Sequence, residues 1–223
     1  MSLATDTWTA FQENEGFARV REHVTLSFIP LLIATVIGVA LGIVAAKSPR
    51  IGTVTVQSAA FVGRMIPTFA AMALIMSATS VGYGPAAAGL VLLAVPTVLL
   101  NTATGIRQTA PAVVDAARGF GFTRSQVLLR IELPLALPYI MNGVRAASVM
   151  VVATAALAGA IGSGGLGVTI IAGFANNQTD VLLAGAIPVT LLALIAEGCL
   201  LLAERLLTPT GLRRQARPKR ERA

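Results

Sequence analysis

From Val24 to Ala46 the chain carries no formally charged side chain, and from Met65 to Ile106 it again carries none. Such runs restrict the fold severely. In lipid every backbone N–H and C=O must find a partner within the protein, which leaves helices or closed barrels as the spanning structures. A helix rising about 1.5 Å per residue needs about 20 apolar residues to cross a hydrocarbon core of about 30 Å. The first run, TLSFIPLLIATVIGVALGIVAA, meets that length. The second is too long for one helix, and Val81-Gly82-Tyr83-Gly84-Pro85 breaks it. The reading therefore places a second span at about 54–78 and a third at about 85–103. A fourth, at about 137–162, follows Pro134 and Pro138, and a Gly-rich then Asn-rich stretch separates it from a fifth at about 181–205. The expected fold is an all-α integral membrane protein with five transmembrane helices.

Composition narrows the function. Only 12% of the 223 residues are charged and the mean hydropathy is +0.78, so most of the surface faces lipid. Cys199 is the only cysteine and His23 the only histidine, which removes internal disulfides, cysteine metal clusters and most zinc or triad chemistry. No metal site and no catalytic residue is expected. The net charge of +7 does not point to nucleic acid, because the basic residues crowd into loops and the C-terminal tail. Residues 1–22 hold Asp6, Glu13, Glu15 and Glu22 and have no apolar core, unlike a cleavable signal. Trp8, Phe11, Phe17 and Val20 alternate with polar residues there. They fit one or two short interfacial helices broken near Gly16, or else a tail without fixed structure. The chain thus divides into an extracytoplasmic interfacial segment (1–22), a transmembrane domain (23–207) and a basic tail (208–223).

Charge orients the spans. With the N-terminus outside, twelve Lys and Arg residues fall on inner segments: Lys47 and Arg50, then Arg107, Arg118, Arg124 and Arg130, then six in the tail. Only Arg19 and Arg21 fall outside. The positive-inside rule then puts the C-terminus, and the loop at about 104–136, in the cytoplasm of a multi-pass cell-membrane protein.

That loop reads as two short helices. Pro111 suits a first helical turn, Gly121 suits the left-handed residue that ends a helix, and Thr123-Arg124-Ser125-Gln126 reads as a capping box. The second helix carries Val127, Leu128, Ile131 and Leu135 on one side, and Pro134 and Pro138 are expected to limit or kink it. The product is a protruding helix–turn–helix with an apolar face, or an amphipathic loop lying on lipid.

Within it, Asp115-Ala116-Ala117, Gly121 and Ile131-Glu132-Leu133-Pro134 form the pattern D-A-A-x3-G-x9-I-x-L-P. This resembles, at every spacing, the EAA loop by which permeases of ABC importers dock on a cytoplasmic ATPase. Asp115 stands where that family usually has Glu, one methylene shorter. The segments EHVTLSF, IGVALGI, RMIPTFA, LNTATGIR, DAARGFGFTRSQVLLRIELPLALPYIMNGVRAA and AGAIGSGGLG are similar to the glycine betaine/choline/proline osmoprotectant permeases. The similarity runs from residue 22 to about 211. It implies a type I permease fold and a second permease subunit, identical or related. It also implies a substrate-binding protein outside the cell and a separate ATP-binding subunit that holds the ATP and Mg. Asp115, Ala116, Ala117, Gly121, Ile131, Leu133 and Pro134 would be the coupling residues.

Three charges fall well inside the spans, about eight to ten residues from their inner ends: Arg64, Arg145 and Glu197. Such groups are costly in lipid and usually face a bundle interior or an aqueous path. All three sit at similar depth from the inner side. Either Arg145 or Arg64 pairs with Glu197, or each snorkels separately to the interface. Gly162-Ser163-Gly164-Gly165-Leu166-Gly167 matches G-x-G-x-x-G, but a membrane helix, not a strand, precedes it, so a dinucleotide site is rejected. There is also no G-x-x-x-x-G-K-[ST]. Gly162, Gly164, Gly165 and Gly167 instead suggest close helix approach or a bend beside a pathway. The few aromatic residues are scattered and build no evident cage for a quaternary ammonium, so tight selection is assigned to the binding protein. Remaining rivals are an importer permease for methionine or another small solute, and an ion-coupled secondary transporter. The latter is disfavoured by a single intramembrane acid and the lack of a visible repeat.

Overall fold

The computed structural model describes residues 3–48 and 67–208, and every regular element in them is helical. A short α1 (Leu3–Glu13) leads through Glu15, which sits in the left-handed region at φ 55°, into α2 (Gly16–Lys47). Then come α3 (Thr68–Ala78), α4 (Tyr83–Arg107) and α5 (Pro111–Gly119). The continuous α6 (Arg124–Ile161), the short α7 (Leu166–Ala175) and α8 (Thr179–Leu207) complete the order. Among the described residues, α2, α4, α6 and α8 are long and apolar enough to cross a membrane. Only the last part of the expected second span, α3, lies within the described residues; Arg64 and the rest of that span lie outside them.

Lipid tails are as apolar as leucine, so these helices associate through close packing of small side chains. On α2, Gly38 and Gly42 form a G-x-x-x-G stripe against α4. A β-carbon on Gly38 would come within 2.7 Å of Val98, and one on Gly42 within 2.6 Å of Thr102. The central core joins Leu26 and Ala34 of α2, Met72 of α3, Leu90, Ala94 and Val98 of α4, and Ala147 and Val151 of α6. The outer helix α8 buries little beyond Ala184 and Gly185, and leaves Leu191, Leu194, Ile195, Leu202 and Leu206 exposed. Pro30, Pro96, Pro138 and Pro188 all lie inside helices, as membrane bundles tolerate.

Two local expectations change. First, the loop's second helix and the fourth span are not separated at Pro134. They are one helix, because a π turn over Leu128–Glu132 carries the backbone through, with Leu133 N–H donating to Leu128 O. The wider turn absorbs the bond that Pro134 is unable to donate. Second, the stretch between spans four and five holds the apolar helix α7, formed by LGVTIIAGFA between the glycines and the asparagines. The N-terminal segment is helical and broken just before Gly16, as expected: α1 ends at Glu13 and α2 opens at Gly16. Ala10 and Phe11 of α1 are buried in a cluster with Ala184 of α8; Trp8 stacks on Phe11, and Phe17 meets both edge-on, with ring centroids 5.2–6.5 Å apart.

Candidate functional site

The hairpin between α4 and α6 is fixed by its caps. Pro111 occupies the first turn of α5. At the other end Gly121 is left-handed at φ 84°; Gly121 N–H donates to Arg118 O at 2.9 Å and Phe122 N–H to Ala117 O at 3.2 Å. This pair of bonds is a Schellman closure, which satisfies carbonyls that a helix end otherwise strands. Two residues on, Thr123 Oγ1 accepts from Gln126 N–H at 3.3 Å while Thr123 N–H donates to Gln126 Oε1 at 2.8 Å, a complete capping box. Two helices are thereby held at a fixed angle by local chemistry alone.

The sequence-predicted loop residues divide between the inside and outside of this hairpin. Ala117 is buried, as is Val127. Asp115, Ala116 and Gly121 are exposed, and Ile131, Leu133 and Pro134 are half-buried at its root. Asp115 takes part in no ion pair among the described residues. Large apolar side chains are also exposed here: Val113, Leu129 and Phe120, the last 85% exposed. An outward apolar rim beside a free carboxylate is a surface suited to a protein partner.

Farther along α6 lies a charge cluster. The Arg145 guanidinium of α6 donates through Nε to Glu197 Oε1 at 2.9 Å, and Nη2 meets the same oxygen. Its Nη1 donates to Glu204 Oε2 at 2.9 Å. Glu197 and Glu204 lie two turns apart on one face of α8, so one guanidinium spans both. Sequence reasoning singled out Glu197 and overlooked Glu204; their seven-residue spacing on an apolar helix was the available signal.

A second ion pair was also overlooked. Lys47, in the last turn of α2, meets Glu132, whose side chain is only 5% exposed. Glu132 occupies the x of I-x-L-P, a position the motif leaves unspecified.

On the opposite end, the four glycines join three helices. Gly162 is left-handed at φ 72° and closes α6. Gly164 and Gly165 also have positive φ, and Gly165 N–H donates to Glu22 Oε2 at 2.8 Å. Gly167 lies directly against the Ala156 carbonyl, with no room for a β-carbon. The buried His23 packs beside Gly165 and bonds Val152 O through Nε2 at 3.0 Å. A neighbouring cleft of about 190 Å³, lined by His23, Ser27, Ser148, Val152, Leu192 and Ile195, is almost wholly apolar. Glu22 and His23 were not identified as partners of the glycines from sequence. Among the described residues no group of three or more metal-ligating side chains occurs.

The family "Binding-protein-dependent transport system inner membrane component" matches residues 38–208. The choline transport system permease protein OpuBB of Bacillus subtilis is 35% identical over 86% of this chain and 88% of its own. The carnitine transport permease protein OpuCB of Listeria monocytogenes is 35% identical over 92% of this chain and 94% of its own. The osmoprotectant import permease protein OsmW of Salmonella typhimurium is 32% identical over 93% of this chain and all of its own. Among solved structures, an inward-facing MetNI methionine ABC transporter chain superposes with a TM-score of 0.74 at 21% identity, covering 86% of this chain and 96% of that one, a likeness of fold. With the helical bundle and the capped hairpin in place, these matches identify the chain as a permease subunit belonging to the binding-protein-dependent ABC transport family.

Proposed function

We propose that this chain is the membrane half of an importer for a small osmoprotectant of the glycine betaine, choline or carnitine type. A cytoplasmic ATP-binding subunit drives it and an extracytoplasmic binding protein loads it. The observation that carries this reading is the hairpin of α5 and the start of α6. It is locked by a Schellman closure and a capping box, and it presents Asp115, Val113 and Phe120 outward. Such a rigid element transmits force. ATP closing two partner subunits, with ATP and Mg bound there, would move two hairpins and exchange inward- and outward-facing states of paired permeases. The substrate class follows from the relatives' names and their near-complete overlap with this chain. Orientation, N-terminus outside and C-terminus inside, follows from twelve basic residues against two.

The division of labour also fits. Among the described residues Phe69, Tyr83, Tyr139 and Phe174 are separately exposed and the ring-to-ring contacts lie at the N-terminus, which supports leaving tight selection of the solute to the binding protein. The test is reconstitution of the complete complex in liposomes, with uptake of labelled glycine betaine, choline and carnitine measured with and without ATP. Uptake that needs ATP and the binding protein is expected; flux through this chain without nucleotide would overturn the reading.

A further inference from the structure

The two roots of the hairpin grip the same turn of the first span. Before the hairpin, Arg107 Nη2 at the end of α4 donates to Ala45 O of α2 at 2.8 Å. After it, Glu132 pairs with Lys47 of α2. The grip after the hairpin depends on the π turn. Val127, Glu132, Ala136 and Ile140 are the buried positions along this face of α6. Successive steps are five, four and four residues, and the five-residue step coincides with the turn over Leu128–Glu132. A regular α-helix continuing from Val127 would present Ile131 inward instead, and the carboxylate would point elsewhere. Inserted π turns recur at functional positions of helices. A carboxylate buried at the membrane boundary is costly unless paired, and Lys47 supplies the charge.

We infer that Lys47 and Glu132 are positioning residues for energy coupling: together they make the first span move with the hairpin. This rests on the function proposed above and adds the path that the motion takes. Force delivered to α5 enters the fourth span along the continuous α6, and it enters the first span through the Lys47–Glu132 pair. Without the pair, the hairpin still docks and the partner still hydrolyses ATP, but the first span lags and the cycle slips.

The experiment uses the reconstituted complex of permease, ATPase and binding protein, and reads glycine betaine moved per ATP hydrolysed. Wild type is measured first; no nucleotide-dependent uptake there overturns the function itself, independently of the pair. Lys47→Met and Glu132→Gln are expected to assemble and hydrolyse ATP while moving at least about five-fold less substrate per ATP. Lys47→Arg, which keeps the charge, is expected to stay near wild type. Lys47 is 42% exposed, so its replacement leaves no buried void; the carboxylate it strands is neutralised in the double variant Lys47→Met with Glu132→Gln, which is expected to slip as Lys47→Met does. A wild-type ratio in Lys47→Met overturns the inference. So does an equal defect in Lys47→Arg, since charge would then be irrelevant. Loss from the membrane of the double-variant complex, in which no buried charge is stranded, also overturns it, because the pair would then be a fold staple only.

Discussion

Arg145 on α6 holds Glu197 on α8 through Nε at 2.9 Å, and the same guanidinium reaches Glu204. Because α8 buries so few side chains, this bridge is a principal polar tie between it and the bundle. Arg145→Met leaves two carboxylates facing each other with no cation. A loss of about 1.5–3 kcal/mol is expected, with a smaller loss for Glu204→Gln. Thermal unfolding of the detergent-purified chain measures both, and a double-mutant cycle of Arg145→Met with Glu197→Gln should show strong coupling. Additive effects would mean that the contact does not hold α8.

Gly121 closes α5 at φ 84°, a region costly for other L-residues. Gly121→Ala should cost about 1–2 kcal/mol locally and weaken retention of the ATPase subunit. Ala117→Arg places a long cation at a buried position of the hairpin and should abolish retention. Co-purification yield reads both; full yield from Ala117→Arg would contradict docking at this hairpin.

Gly167 touches the backbone of Ala156 without any side chain between them. Gly167→Ala must push α7 away from α6, at an expected cost of about 1–3 kcal/mol, and Gly167→Val should prevent accumulation of the protein. Gly198 has open space around it, so Gly198→Ala should be tolerated. Membrane expression and melting temperature of the three variants should follow that order.

Topology is checked by thiol labelling in a Cys199→Ser background. Ser125→Cys, exposed on the hairpin, should react only when reagent reaches the cytoplasmic side, and Ala4→Cys only from the outside. Labelling of Ser125→Cys in intact cells by an impermeant reagent would invert the assigned orientation and remove the hairpin from any ATPase.

The sequence by itself determined the class of fold, the existence of the hairpin and the hairpin's caps. Each of these follows from interactions within a few residues. Uncharged runs dictate spanning helices, Gly121 dictates a left-handed stop, and Thr123 with Gln126 dictates a start. What joins distant segments was decided only by the tertiary structure. Glu204, Glu132 and Glu22 look like ordinary charges near helix ends until packing brings Arg145, Lys47 and the Gly165 amide against them. The π turn that aims Glu132 at Lys47 is equally illegible locally. It takes one extra residue in a helical turn, and whether that turn forms depends on what the bundle offers the side chain it turns inward.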